Sequence, residues 1–218
     1  MKKLSPKGRW IAVIVTTLLF EVMAVLAIAV EHEKVWNFDS DTVGVAPKGF
    51  VAVTGEWTVV EDDTALSKPN VLAQTARNRG SYFNVTIIDQ TGHKDIEISV
   101  TVKAVAGEED KGGGLVWRYR DIKNYYIARY NPLEENFRVY KVQDGRRTQF
   151  QSANIKLNPG WHTLKVKMEG NHIECSYDGK KYLDVRDDTF KDTGKVGLWT
   201  KADAQTYFDD VTVQEGKP

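Results

Sequence analysis

The chain has 218 residues, with 30 Lys and Arg balanced by 30 Asp and Glu, four histidines and a single cysteine. That balance, with no basic tail, excludes the charge footprint of a nucleic-acid-binding protein. One cysteine excludes an intramolecular disulfide, and the paired spacings of zinc sites are absent.

The first segment is an export signal. Lys2, Lys3, Lys7 and Arg9 precede an apolar run from Trp10 to Val30, interrupted by Thr16, Thr17 and Glu21. A basic flank followed by an apolar run directs export. Ala27-Ile28-Ala29 offers a small-x-small cleavage site, so residues 1–29 read as a signal peptide. The run is also just long enough for an apolar export helix that stays as a signal anchor in the inner membrane, although Glu21 costs such a span about 2–3 kcal/mol. In either case residues 30–218 are delivered to the periplasm or the cell exterior, and any membrane contact is confined to residues 10–30. Removing residues 1–29 leaves 26 basic against 29 acidic residues, a net charge of −3.

Residues 30–218 read as one domain made almost wholly of strands. Ile96, Ile98, Val100 and Val102 alternate with Glu97, Ser99, Thr101 and Lys103, the period-two pattern of a half-buried antiparallel strand. Next comes the most aromatic stretch, from Gly112 to Val142. Its runs LVWRY, YYIARY and FRVYKV predict three strands, joined by the turn-forming segments DIKN and NPLEEN. Leu164, Val166 and Met168 alternate with lysines, and Ile173, Cys175 and Tyr177 share one face, which places Cys175 as a small buried apolar side chain. Asp144-Gly145 and Asp178-Gly179 are hairpin turn signals. A helical turn is expected only near Asp188 to Lys191. Val196, Leu198 and Trp199 do not alternate and predict a strand buried on both faces. Turn clusters recurring every eight to twelve residues point to a β-sandwich or jelly roll.

Period-two alternation also sorts the candidate functional side chains. Leu115, Trp117 and Tyr119 fall on one face and Val116, Arg118 and Arg120 on the other. Tyr125, Ile127, Arg129 and Asn131 share a face, as do Arg138 and Tyr140. An unpaired charge in a core is very costly, so Arg118, Arg129 and Arg138 must face water, a groove or a carboxylate such as Glu134. Arginine forks with Asn131 and Asn136 meet sugar hydroxyls well, over a ring such as Tyr140 or Trp199, with Lys201 or Asp203 as a polar contact. Glu108, Glu109 and Asp110 lie in a Gly-rich loop and read as solvated. His93 and His172 are placed at turns, His162 in the core or at its rim, and His32 at the leader junction. Asn84-Val85-Thr86 is a glycosylation sequon with meaning only in a eukaryotic secretory pathway.

The 112–142 stretch, together with GWHTLKV (160–166), YDGKKYLDVRDDTF (177–190) and GKVGLWTKADAQTYFDDVTV (194–213), resembles the laminin G-like, concanavalin A-like jelly rolls. It is most similar to bacterial 3-keto-disaccharide hydrolase-type domains, labelled family 16 glycoside-hydrolase-like. The resemblance runs from about Trp36 to Val213. It implies an all-β concanavalin A-like sandwich of two antiparallel sheets, with a ligand groove on a concave sheet face. It also implies pairing of the first and last strands beside a structural Ca2+, for which Asp39, Asp41 and Asp209 are the candidate ligands.

Three functions follow, since one fold hosts many. The leading expectation is a carbohydrate-binding domain whose groove is lined by Arg118, Arg129, Asn131, Asn136, Arg138, Tyr140, Trp199 and Lys201. The resemblance alternatively implies a 3-keto-glycoside hydrolase or lyase, in which a base abstracts the C2 proton and the C1 substituent leaves. Glu134 would be that base and Arg129 would hold the enolate. The ExDxE pattern of retaining family 16 enzymes is missing from the sequence. The third alternative is a laminin G-like protein-interaction module.

Overall fold

The computed structural model describes residues 33–156 and 158–216; the apolar leader and His32 lie outside them. Among the described residues no helix is long and apolar enough to cross a membrane. The described chain forms β1 (Lys34–Trp36), β2 (Phe50–Thr54), β3 (Trp57–Glu61), β4 (Asn70–Gln74), β5 (Phe83–His93), β6 (Ile96–Ala106), β7 (Gly114–Asp121) and β8 (Asn124–Asn131). It continues with β9 (Asn136–Gln143), β10 (Arg146–Asn154), β11 (Trp161–Glu169), β12 (His172–Tyr177), β13 (Lys180–Arg186), β14 (Gly194–Lys201) and β15 (Gln205–Glu215).

Two antiparallel sheets result. The first runs β13-β12-β11-β6-β15-β4-β3, with β1 also paired to β15; the second runs β10-β9-β8-β7-β14-β5-β2. The alternating positions of β6 and β11 explain the packing. Val100 opposes Leu164 and Ile98 opposes both Val166 and Val213, so one face of three adjacent strands is apolar and fully buried. It closes on Leu115, Trp117, Tyr126, Ala128, Phe137, Val139 and Leu198 of the second sheet. Trp117 stacks on Tyr126 at 5.5 Å between centroids, and Phe190 meets the Tyr126 ring edge-on at 5.0 Å. Cys175 lies in this core, where burial pushes its thiol pKa up.

The Asp-Gly hairpins form as their residues dictate. Asp144 and Gly145 have φ of 51° and 80°, and Asp178 and Gly179 have 48° and 75°. Two positive φ values in succession are those of a type I′ turn. One expectation fails: residues 188–191 form no helical turn. Asp187 takes the Thr189 N–H on its carboxylate and the Tyr126 hydroxyl as well, while that hydroxyl accepts from the Phe190 N–H. Local carboxylate bonding of this kind competes with helix formation.

The other departure is on β7. Arg118 has φ of 45°, and the pairing with β8 shifts register between Trp117 and Asp121. This bulge breaks the alternation. Leu115 and Trp117 stay in the core, but Tyr119 turns outward to meet Tyr125 at 5.6 Å. Arg118 is swung away from the outer face to the β6 end of the sandwich. Its Nε donates to the Lys94 carbonyl at 2.9 Å, Nη1 to Phe190 O at 2.5 Å and Nη2 to Gly170 O at 2.6 Å, with Asp95 Oδ1 at 3.5 Å.

Candidate functional site

The outer face of the second sheet carries its own apolar layer of Val85, Ile87, Val116, Tyr125, Ile127, Val142 and Trp199, flanked by Phe83 and Tyr119. At one end this layer gives way to charge. Cross-strand registry builds that end: Gly114 faces Arg129, Arg129 faces Arg138, Asn131 faces Asn136, and Trp199 faces Gly114. These registers, the Arg129–Tyr140 contact and the bond from Lys201 to Asp110 bring seven of the eight predicted groove residues to this end of the face. Arg118 is not among them, because the bulge assigns its donors to carbonyls elsewhere.

Arg129 is the centre of the cluster. Its side chain is 2% exposed. Nη2 donates to Glu134 Oε2 at 3.1 Å and reaches the Tyr140 hydroxyl at 3.4 Å. Nε and Nη1 have no partner among the described residues. The same Glu134 oxygen accepts from Arg138 Nη1 at 2.8 Å and Asn136 Nδ2 at 3.0 Å. Burial works to raise the Glu134 carboxyl, but the Asn136 amide and the charges of Arg129 and Arg138 outweigh it and hold its pKa at about 2. A carboxylate so stabilised in its charged form is a weak base. The expected roles of Glu134 and Arg129 in proton abstraction therefore rest on a carboxylate that Arg129 itself makes hard to protonate.

Asp110 is a residue that sequence reasoning misplaced. Glu108 and Glu109 are at the surface, but Asp110 is 2% exposed. It accepts from Asn131 Nδ2 at 2.9 Å, Lys201 Nζ at 3.0 Å and the Lys111 N–H at 3.0 Å. The following glycines bring the loop down onto the sheet. A Cβ at Gly114 would stand 2.0 Å from the Ala128 carbonyl oxygen, and one at Gly112 2.5 Å from that of Tyr130. Asp203, expected to meet ligand, instead accepts the N–H groups of Glu108, Glu109 and Asp110. These bonds fix the loop.

Arg147 was also missed. The Asp144-Gly145 turn pairs Arg147 with Val142 and so puts it on the Tyr140 face, a placement that the turn type alone would have allowed. Its guanidinium carbon lies 4.6 Å from the Tyr140 ring centroid, 5.2 Å from Phe83 and 5.8 Å from Trp199. The Trp199 side chain is fully buried, with Arg147 over its ring. Two clefts border the cluster. One is lined by Glu134, Glu135, Asn154, Ile155 and Lys156, and the other by Arg77, Arg79, Glu108, Glu109, Asp203 and neighbouring backbone.

Each of the expected calcium ligands is engaged by protein donors, and Asp39 lies near enough to Asp209 for its charge to act on that carboxyl. The Asp39 carboxylate accepts from Ser67 Oγ and the Asn70 N–H, and Asp41 accepts from the Lys48 N–H. The carbonyls of Phe38, Asp39 and Asp41 gather instead on Asn70 Nδ2 at 3.2–3.4 Å. That amide occupies the point where the three carbonyls meet. Asp209 is fully buried, with Oδ2 unpartnered among the described residues. Burial pushes its carboxyl up to about 7, with the charges of Asp210 and Asp39 adding to the effect. The three-residue group with metal-ligand spacing among the described residues is His172, Glu174 and Asp184, and Lys181 Nζ sits on both of its carboxylates at 2.5 and 2.8 Å. His162 is a rim residue, bonded to Asp178 and to the Asn158 carbonyl and stacked on Tyr177. His93 closes β5, with both ring nitrogens unpartnered among the described residues. Asn84 is buried and bonded to Thr200 and the Ala202 carbonyl, out of reach of glycosylation.

No protein-family model matches this sequence, and no curated protein matches it. Solved structures do. The carbohydrate binding module CBM66 from Bacillus subtilis superposes with a TM-score of 0.64 at 20% identity, over 77% of this chain and 96% of that one. A Bacillus subtilis protein of unknown function with a galectin-like fold gives 0.59 at 13% identity, over 77% and 90%. The Bacteroides ovatus mixed linkage glucan GH16, in complex with product, gives 0.57 at 15% identity, over 84% and 99%. At these identities the likeness establishes the fold, an antiparallel two-sheet sandwich of the jelly-roll type.

Proposed function

We propose that residues 30–218 form an exported carbohydrate-binding domain that takes a glycan on the outer face of the second sheet. One observation carries the reading: Arg129 is buried beside the Tyr140 ring with two nitrogens unpartnered among the described residues. A donor left unmade in a low-dielectric site costs about 1–3 kcal/mol, and a ligand that supplies acceptors recovers it. Sugar hydroxyls and ring oxygens are such acceptors, and a pyranose that displaces the Arg147 guanidinium from the Tyr140, Phe83 and Trp199 rings would find apolar faces on which to stack. The CBM66 neighbour, described as a carbohydrate binding module, uses the same architecture. The apolar leader delivers such a domain to where glycans are met.

Binding without turnover is favoured over the 3-keto-glycoside reaction, because that reaction needs a base that titrates near the working pH. Glu134 and Asp110 are both saturated with donors. The test is a glycan-binding screen of the purified protein, run beside an assay of 3-keto-glucoside cleavage with and without added divalent metal. The expected result is saturable binding, lost in a folded Arg129→Ala variant, with no aglycon released. Release of aglycon that disappears in Glu134→Ala would make the protein an enzyme. Binding unchanged by Arg129→Ala would sink the assignment of the site.

A further inference from the structure

The glycan reading leaves open which sugar the site takes, and the charges at the cluster bear on that. Among the described residues, Arg129, Arg138, Arg147 and Lys201 face two carboxylates, Glu134 and Asp110. The remainder of the exported segment is net acidic, since residues 30–218 as a whole carry 26 basic against 29 acidic side chains. The site thus holds four cationic side chains against two carboxylates, a local excess of positive charge.

The surplus charge is specific in place. Glu134 is shared by Arg129 and Arg138, and Asp110 is committed to Lys201 and Asn131. Arg147 is left without a carboxylate partner among the described residues. It lies on rings instead, and its Nη1, like Nε and Nη1 of Arg129, is buried with no partner among those residues. Burial drives the Arg147 guanidinium below its usual pKa and the charge of Arg129 adds to the lowering, while the Tyr140 hydroxyl and the more distant Asp110 and Glu134 carboxylates oppose it. Two like charges thus sit against one ring, Tyr140, at 5.9 Å and 4.6 Å from its centroid.

A neutral sugar would fill the open donors but leave the repulsion in place. An anion relieves both, and charge-assisted bonds from guanidinium to a carboxylate are roughly twice as strong as neutral ones. Arg147 is on the edge strand β10, and a sugar that reaches the Trp199 and Phe83 rings has to take the place of its long side chain there. Building on the glycan reading, we propose that the ligand is an acidic glycan, with a sugar ring against Trp199 and Tyr140 and its anionic group held between Arg129 and Arg147.

The experiment is calorimetric titration of the full-length protein with three matched ligands: an oligogalacturonide, the corresponding neutral galactan oligosaccharide and a sulfated galactan oligosaccharide. Each is measured at low and at high salt. The expected result is at least tenfold tighter binding of one or both acidic ligands over the neutral one, weakened by salt. The first and third ligands separate a ring carboxylate from a sulfate ester as the source of the anion. Arg147→Gln keeps a polar side chain with two N–H donors but removes the charge, and it is expected to bring acidic and neutral affinities within about twofold of each other. Equal binding of all three ligands by the wild-type protein overturns the acidic preference and leaves the glycan reading standing. Binding of none of them, or of any other glycan in the screen, removes both. An acidic preference that survives unchanged in a folded Arg147→Gln protein overturns the placement of the anion.

Discussion

Arg118 and Arg129 are the same residue type at the same depth, 1% and 2% exposed, on adjacent strands of one sheet. Their surroundings are opposite. Arg118 spends Nε, Nη1 and Nη2 on three backbone carbonyls and approaches Asp95. Arg129 spends one nitrogen and leaves two unpartnered among the described residues. Buried polar groups are almost always paired, so the first arrangement is what folding alone selects. The second places a cost in the folded state that a ligand can relieve. Depth and residue type do not distinguish these two arginines; the count of satisfied donors does.

Substitutions test that contrast, and the largest effect belongs to the satisfied partner. Arg118→Met removes the donors from three carbonyls at once, and at about 1–3 kcal/mol per orphaned group it is expected to cost roughly 3 kcal/mol or more in urea denaturation. A loss below about 1 kcal/mol would show that the bonds at the bulge do not hold the sandwich. Gly114→Ala comes next. Its Cβ would enter the Ala128 carbonyl and crowd the Arg129 backbone, and overpacking of this kind costs about 1–3 kcal/mol. It should lower stability and glycan affinity together, whereas Arg118→Met should leave affinity intact in the fraction that folds.

Asp209 supplies a pH test of the same idea, as a buried charge left without enough donors. Its carboxyl pKa is raised to about 7 from an ordinary 3.8. Between these values the native state holds a proton that the unfolded chain has released. The stability this contributes is therefore fully present at low pH and falls as pH climbs through 7. Each tenfold difference in proton affinity between the two states is worth about 1.4 kcal/mol. Asp209→Asn is expected to flatten the melting temperature across pH 4 to 8. A slope unchanged by that substitution would assign the pH dependence to another group.

The smallest effect on stability should come from the unsatisfied arginine. Arg129→Met is expected to change the unfolding free energy by less than about 1 kcal/mol, since few bonds are lost and an unfilled cation leaves the interior. Glycan binding should vanish. A large loss of stability would erase the contrast with Arg118 and make Arg129 a structural residue.

The strands, the hairpins and the composition of the core follow from the chain itself. Alternation in Ile96 to Val102 and in Leu164 to Met168 fixes which side chains face inward, and Asp-Gly pairs admit few turns other than the one they form. Alternation also brought Arg129, Asn131, Arg138 and Tyr140 to one face, because period two persists wherever a strand is regular. It failed at Arg118, where one residue in a left-handed conformation resets the faces and no local signal marks the bulge. Asp110 was beyond reach for another reason: a loop has no periodicity, and its burial depends on glycines that let two backbones touch. The pairing of donors with acceptors is a property of distant segments meeting. Residue order was thus enough for the sandwich and for most of the side chains on its outer face. Which arginine has its donors satisfied, and which does not, was settled in three dimensions. Hydrogen-bond partners such as Lys94, Gly170 and Phe190 are chosen by the packing of strands far apart in the chain.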